Sequence, residues 1–153
     1  MTGVQTCALP IYLTEAIRSR DELKSGTIRM LLAAIQVEEV AGKEARVLKD
    51  DEIIKVLSRE AKKRREAVDA FKEAGRADKA EQEAKEGEVI LKYLPAQLSE
   101  DEIKKIVTDA IAETGANSPQ QMGQVMKIVQ PKVAGKADGA MVSSLVKAAL
   151  GAH

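Results

Sequence analysis

From Leu13 to the end of the chain, apolar residues return every three or four positions, and no segment alternates in the way a half-buried strand would. This period specifies amphipathic helices and leaves no material for a sheet. Composition agrees: with one Phe, two Tyr and no Trp, the chain is poor in the aromatic residues that favour strands. The expected fold class is all-α, an N-terminal bundle of about four helices followed by a C-terminal three-helix domain.

The N-terminal signals are diffuse. Thr14 is a candidate N-cap, with Ala16, Ile17 and Leu23 on a short apolar side. Ser25 or Gly26 starts a second helix, whose face Ile28, Leu31, Leu32, Ile35, Glu39 runs to Gly42. Asp50 and Asp51 open a third, where the macrodipole favours negative charge. Its stripe is Ile54, Leu57, Ala61, Arg64, Val68 and Phe71, closed by Ala74-Gly75. A fourth spans about 78–94 with Ala80, Ala84, Leu91 and Leu94 inward, until Pro95 disfavours helical backbone at Leu94.

Beyond Pro95 the signals sharpen. Ser99-Glu-Asp-Glu102 is a capping box, and Ile103, Ile106, Val107, Ala110 and Ile111 form one stripe before Gly115. Ser118-Pro119 is an N-cap followed by proline, with Gln121 completing a second box. Met122, Val125, Met126 and Val129 follow at helical spacing, and Asp138 caps a last helix carrying Met141, Val142, Leu145, Val146 and Leu150. The expected organisation is therefore 13–94, a hinge at 95–98, and 99–153. Residues 1–12 stand apart: the first eleven carry none of the 48 charges and resemble translated sequencing-adapter sequence, so they are set aside as a non-native leader, the alternative being a genuine N-terminal arm.

Several chemistries are excluded by residue count. One cysteine, Cys7, makes no internal disulfide or multi-cysteine metal site, and one histidine, His153, supports no His-based triad or cluster. No metal and no cofactor is expected. No apolar run approaches the roughly 18 residues a membrane span needs, so the expected location is cytoplasmic. Twenty-four basic residues balance twenty-four acidic ones, which excludes a globally basic nucleic-acid binder but not a local patch.

Charge is distributed unevenly within this neutral whole. Residues 13–94 hold 18 residues of each sign, mixed at i, i+3 and i+4. Residues 118–153 hold Lys127, Lys132, Lys136 and Lys147 against Asp138 alone, a net charge of +3. The expectation is that these ammonium groups share one outward flank. Gly123 lies inside a helix at a cost of roughly 1 kcal/mol relative to Ala, so a close helix crossing or a partner's backbone should compensate. Gly135 and Gly139 bracket a loop that feeds the last helix. Either its free N–H groups take a phosphate, or Gly135 is a helix-terminating glycine, Asp138 an N-cap and the lysines solvated. The denser cluster Lys62-Lys-Arg-Arg65 has Glu60, Glu66 and Asp69 within a turn, and ordinary pairing accounts for it. Met122, Met126 and Met141 either pack the core or form an adaptable surface.

Thr27-Ile-Arg-Met-Leu-Leu-Ala-Ala-Ile35, Arg64-Arg-Glu66, Phe71-Lys-Glu-Ala-Gly-Arg76, Tyr93-Leu-Pro-Ala-Gln-Leu98, Met122-Gly-Gln-Val-Met126 and Gly135-Lys-Ala-Asp-Gly139 resemble the GatB/YqeY domain family, in particular its stand-alone YqeY-like proteins. The resemblance covers residues 13–150. It implies that the last three helices are similar to the C-terminal tail of the GatB component of the glutamine-dependent aminoacyl-tRNA amidotransferase, which reaches the body of the tRNA. It also implies partnership with tRNA or the amidotransferase machinery, through Lys127, Lys132, Lys136 and Lys147, with Gly123, Gly135 and Gly139 permitting close approach. Two alternatives accompany it: the family's activity label of carbon–nitrogen ligation with glutamine as amide donor, and a protein-binding helical adaptor. Gln124 stands where the family's tail usually has Lys, and Lys136 where it has Arg, which removes a charge and a bidentate phosphate grip. Gly26 replaces the hydroxyl residue often seen before the Thr-x-Arg motif.

Overall fold

The computed structural model describes residues 8–151; Cys7, His153 and the first seven residues of the expected leader lie outside them. Among the described residues the chain is helical throughout, with seven α-helices, a single 3₁₀ turn and no strand. It divides after Pro95 into two compact units.

The first unit holds α1 (Ala8–Arg18), α2 (Glu22–Val40), α3 (Asp50–Glu73) and α4 (Ala77–Leu91). Helix α1 begins inside the expected leader, because Leu9 is completely buried against the α2–α4 core and anchors that turn. Thr14 therefore lies within α1 and caps nothing; its hydroxyl donates back to the Pro10 carbonyl at 3.0 Å. Helix α2 likewise begins before Ser25. Asp21 is its cap, accepting from the Lys24 N–H at 2.9 Å, while the Ser25 hydroxyl turns inward and donates to the Glu22 carbonyl. Ile28, Leu31 and Ile35 are buried as the spacing predicts.

Helix α3 opens as a charge device. The Glu52 carboxylate accepts from the Lys49 N–H at 2.9 Å and from the two terminal Arg46 guanidinium nitrogens at 2.9 and 2.7 Å. The Arg46 bond above all, then the backbone N–H, holds the Glu52 carboxyl down at about 2. On α3 the core residues are Ile53, Val56, Leu57 and Ala61. On α4 the inward face differs from the expected one: Ala80, Val89 and Ile90 are buried, whereas Ala84 and Leu91 are exposed. The physical reason is a polar centre to the α3–α4 contact. Arg64 crosses to Glu83 at 3.0 Å and to Glu86 at 3.4 Å, and also touches the Met30 sulfur. Apolarity alone skips the two glutamates and slides to the neighbouring face. Tyr12 and Tyr93 stack obliquely with ring centroids 5.1 Å apart, and burial raises the Tyr93 hydroxyl pKa.

The second unit holds α5 (Glu100–Thr114), the 3₁₀ turn (Pro119–Gln121), α6 (Met122–Val133) and α7 (Gly139–Gly151). Its core is a separate cluster in which Ile103, Val107, Val125, Val129, Val142, Val146 and Leu150 are nearly all fully buried. Met122 and Met126 pack against this cluster, while Met141 is 46% exposed. No helix among the described residues is long and apolar enough to cross a membrane.

Candidate nucleic-acid interface

The expected interface is built on α6, α7 and the turn between them. The capping box predicted for α5 is present, with Ser99 Oγ accepting from the Glu102 N–H and the Glu102 carboxylate accepting from the Ser99 N–H at 2.7 Å. The second box does not form as expected. The Gln121 side chain accepts from the Asn117 N–H at 2.8 Å and from the Ser118 hydroxyl, and the 3₁₀ turn separates that cap from the start of α6 at Met122. The fixed φ of Pro119 suits so tight a turn.

Helix α6 ends in a turn closed on itself. Gly135 takes φ 71°, the left-handed conformation that favours glycine. The N–H groups of Lys136 and Ala137 both donate to the Val133 carbonyl, at 2.9 and 3.2 Å. Asp138 caps α7, its carboxylate accepting from the Ala140 N–H at 2.8 Å. The turn's carbonyls are engaged as well: Lys136 accepts from the Leu98 N–H at 2.8 Å, and Gly135 from the Gln97 side chain at 2.9 Å. Three of the loop's donors, the N–H groups of Lys136, Ala137 and Ala140, are therefore used internally, and a carboxylate occupies the α7 terminus. Of the two readings of this loop, the terminating glycine with an aspartate cap is the one observed.

Any anion contact then falls to side chains. Lys127 and Lys132 on α6, Lys136 in the turn and Lys147 on α7 are all exposed. Lys132 and Lys136 flank the same tight turn. The expectation of one shared flank needs correction on α6. Lys127 and Lys132 are five residues apart, and at about 100° per residue they point roughly 140° apart around the helix. The lysines thus form two edges of α6, with the Lys132–Lys136 edge continuing into the turn. A Cβ added at Gly123 or Gly139 would meet nothing within 4 Å. Among the described residues no helix crossing accounts for Gly123, and its exposed position leaves the α6 backbone bare to solvent.

Helix α5 has the opposite sign. It carries five carboxylates against Lys104 and Lys105, a net charge of −3, with Lys104 bound to Glu100 at 2.6 Å and its pKa raised by that partner. The second unit is neutral as a whole and polarised within. By contrast, the basic run of α3 pairs: Arg59 with Glu38 at 2.8 Å, Lys63 with Glu60 at 2.7 Å, and Arg64 with Glu83 and Glu86. Two features here were missed in the sequence. The Gln97 bond to Gly135 spans 38 residues and has no local signal. Pro131, inside α6 and exposed, was legible: it removes the N–H that would bond the Lys127 carbonyl.

The sequence profile of the YqeY-like proteins matches residues 9–150. A mitochondrial protein of Clavispora lusitaniae named "Altered inheritance of mitochondria protein 41" is 30% identical over 135 residues, which is 86% of this chain and 78% of the relative. The protein of the same name from Lachancea thermotolerans is 30% identical over 142 residues, 90% of this chain and 74% of the relative.

Proposed function

The chain belongs to the YqeY-like protein family, and from that premise we propose that it acts without catalysis of its own, as an accessory that contacts tRNA through the α6–α7 side of its second unit. The supporting observation is the +3 charge of residues 118–153, carried by four exposed lysines. Lys132 and Lys136 form one edge of the contact and Lys127 the other, with Lys147 on α7 beside them; bare Gly123, one turn before Lys127, lets a phosphate strand approach α6 on the Lys127 edge. Recognition is of phosphate and shape, because this face offers neither aromatic platforms nor arginine forks for bases. We place the contact in the cytoplasm. The two fungal relatives are named as mitochondrial proteins, and fractionating cells that express a tagged chain separates the two compartments.

The test is a gel shift with total tRNA at low salt, comparing the native chain with Lys132→Glu/Lys136→Glu. The expected result is a complex for the native chain that weakens steeply between about 50 and 200 mM salt, and at least about tenfold weaker binding by the variant. Absence of a low-salt complex, or an unimpaired variant, overturns the reading.

A further inference from the structure

The α3–α4 hairpin carries a trough that takes no part in the tRNA reading. Its volume is about 340 Å³, in the lower part of the roughly 300–1,000 Å³ range of occupied recognition pockets. Ala61 and Val68 of α3, with Ala84, Gly87 and Leu91 of α4, make its apolar surface. The lining runs from 61 to 69 on one helix and from 83 to 91 on the other, so the trough is about 12 Å long, two helical turns. Leu91, turned away from the core, is 39% exposed.

Two observations distinguish this trough from a packing defect. Gly87 lies within α4, where a glycine costs roughly 1 kcal/mol relative to Ala. A Cβ there would rest on the Arg64 Cβ at 3.5 Å, an ordinary contact, so packing does not demand the glycine. Its effect is to keep the trough deep. The rim is also acidic: Asp69, Glu83 and Glu88 outnumber Arg64 and Arg65. Arg64 is already held between Glu83 and Glu86, with its side chain only 18% exposed.

We propose that this trough docks an amphipathic helix of a partner protein. Two turns of length match apolar anchors at i, i+3 or i+4 and i+7, and the excess of carboxylates selects a helix with lysine or arginine beside those anchors. The surface lies wholly in the first unit, so the proposal stands independently of the tRNA contact.

The probe is a fluorescent helical peptide of about fourteen residues, leucines at three- and four-residue spacing and lysines elsewhere, with a second peptide in which glutamate replaces lysine. Anisotropy titration with the full chain is expected to show the lysine peptide binding at least about tenfold more tightly than the glutamate peptide. Gly87→Met fills the trough and is expected to weaken the lysine peptide at least about tenfold, while Gly87→Ala, which makes it one methyl shallower, weakens it by a smaller factor. Circular dichroism and a cooperative urea transition verify that Gly87→Met is folded. Equal binding of the two peptides overturns the proposal, as does undiminished binding to folded Gly87→Met. A native dimer that Gly87→Met dissociates also overturns it, because the occupant is then a second copy of this chain.

Discussion

The two units use the same charged residues in opposite ways. In the first, basic side chains are tied to carboxylates of the same unit: Arg46 to Glu52, Arg59 to Glu38, Lys63 to Glu60, Arg64 to Glu83 and Glu86. In the second, charge is sorted by element, with acid on α5 and base on α6, the turn and α7. A cation already paired across helices has given its field to the fold, whereas a lysine with no acid on its own helix keeps that field for whatever approaches. The densest basic run, Lys62 to Arg65, is therefore the poorer candidate for a nucleic-acid contact, and four dispersed lysines are the better one. Most of the first unit's pairs are exposed and contribute under about 1 kcal/mol each. Arg64 differs, because it and both its partners are largely shielded from water.

The largest expected effect tests that exception. Arg64→Ala strands two shielded carboxylates and should cost roughly 3 kcal/mol, read as a lowered urea midpoint, whereas Lys127→Ala should stay within about 0.5 kcal/mol of the native chain. Comparable losses from the two variants would break the contrast between the units. Next comes Gly123→Ala. With ordinary helical backbone and open space around the new methyl, it should stabilise the chain by up to about 1 kcal/mol in thermal unfolding, yet weaken the tRNA complex; stability and binding moving up together would count against a close approach at α6. The smallest effect is in acid. Because the fold holds the Glu52 carboxyl down at about 2, the stabilisation is complete above the ordinary glutamate value of 4.5 and is lost as pH falls from there toward 2. Urea midpoints should show this decline in the native chain and a shallower one in Arg46→Ala, and parallel pH profiles would remove Arg46 from the account.

What could be read from the residues alone follows the range of the forces. The α5 capping box was legible because Ser99 and Glu102 satisfy each other within one turn. The burial of Val125, Val129, Val142 and Val146 was legible because α6 and α7 bury purely apolar faces. Helix α4 was not, because its inward face carries Glu83 and Glu86, and their suitability depends on Arg64 nineteen residues earlier for the first of them. The start of α2 was misplaced because Ser25, a typical cap residue, instead bonds inward and Asp21 takes the cap. At the candidate interface, the identity and exposure of the lysines were legible. The closure of the turn on Gln97 and Leu98 was not, since it brings together residues 38 positions apart.

The most direct measurement of the central claim is the salt dependence of tRNA affinity in the native chain and in Lys132→Ala/Lys136→Ala. If these two ammonium groups contact phosphates, the double-logarithmic slope should become shallower by about 0.7–0.9 for each lysine removed, with the folded state unchanged. A slope identical in both proteins would contradict the account and place the chain's charge elsewhere in its function.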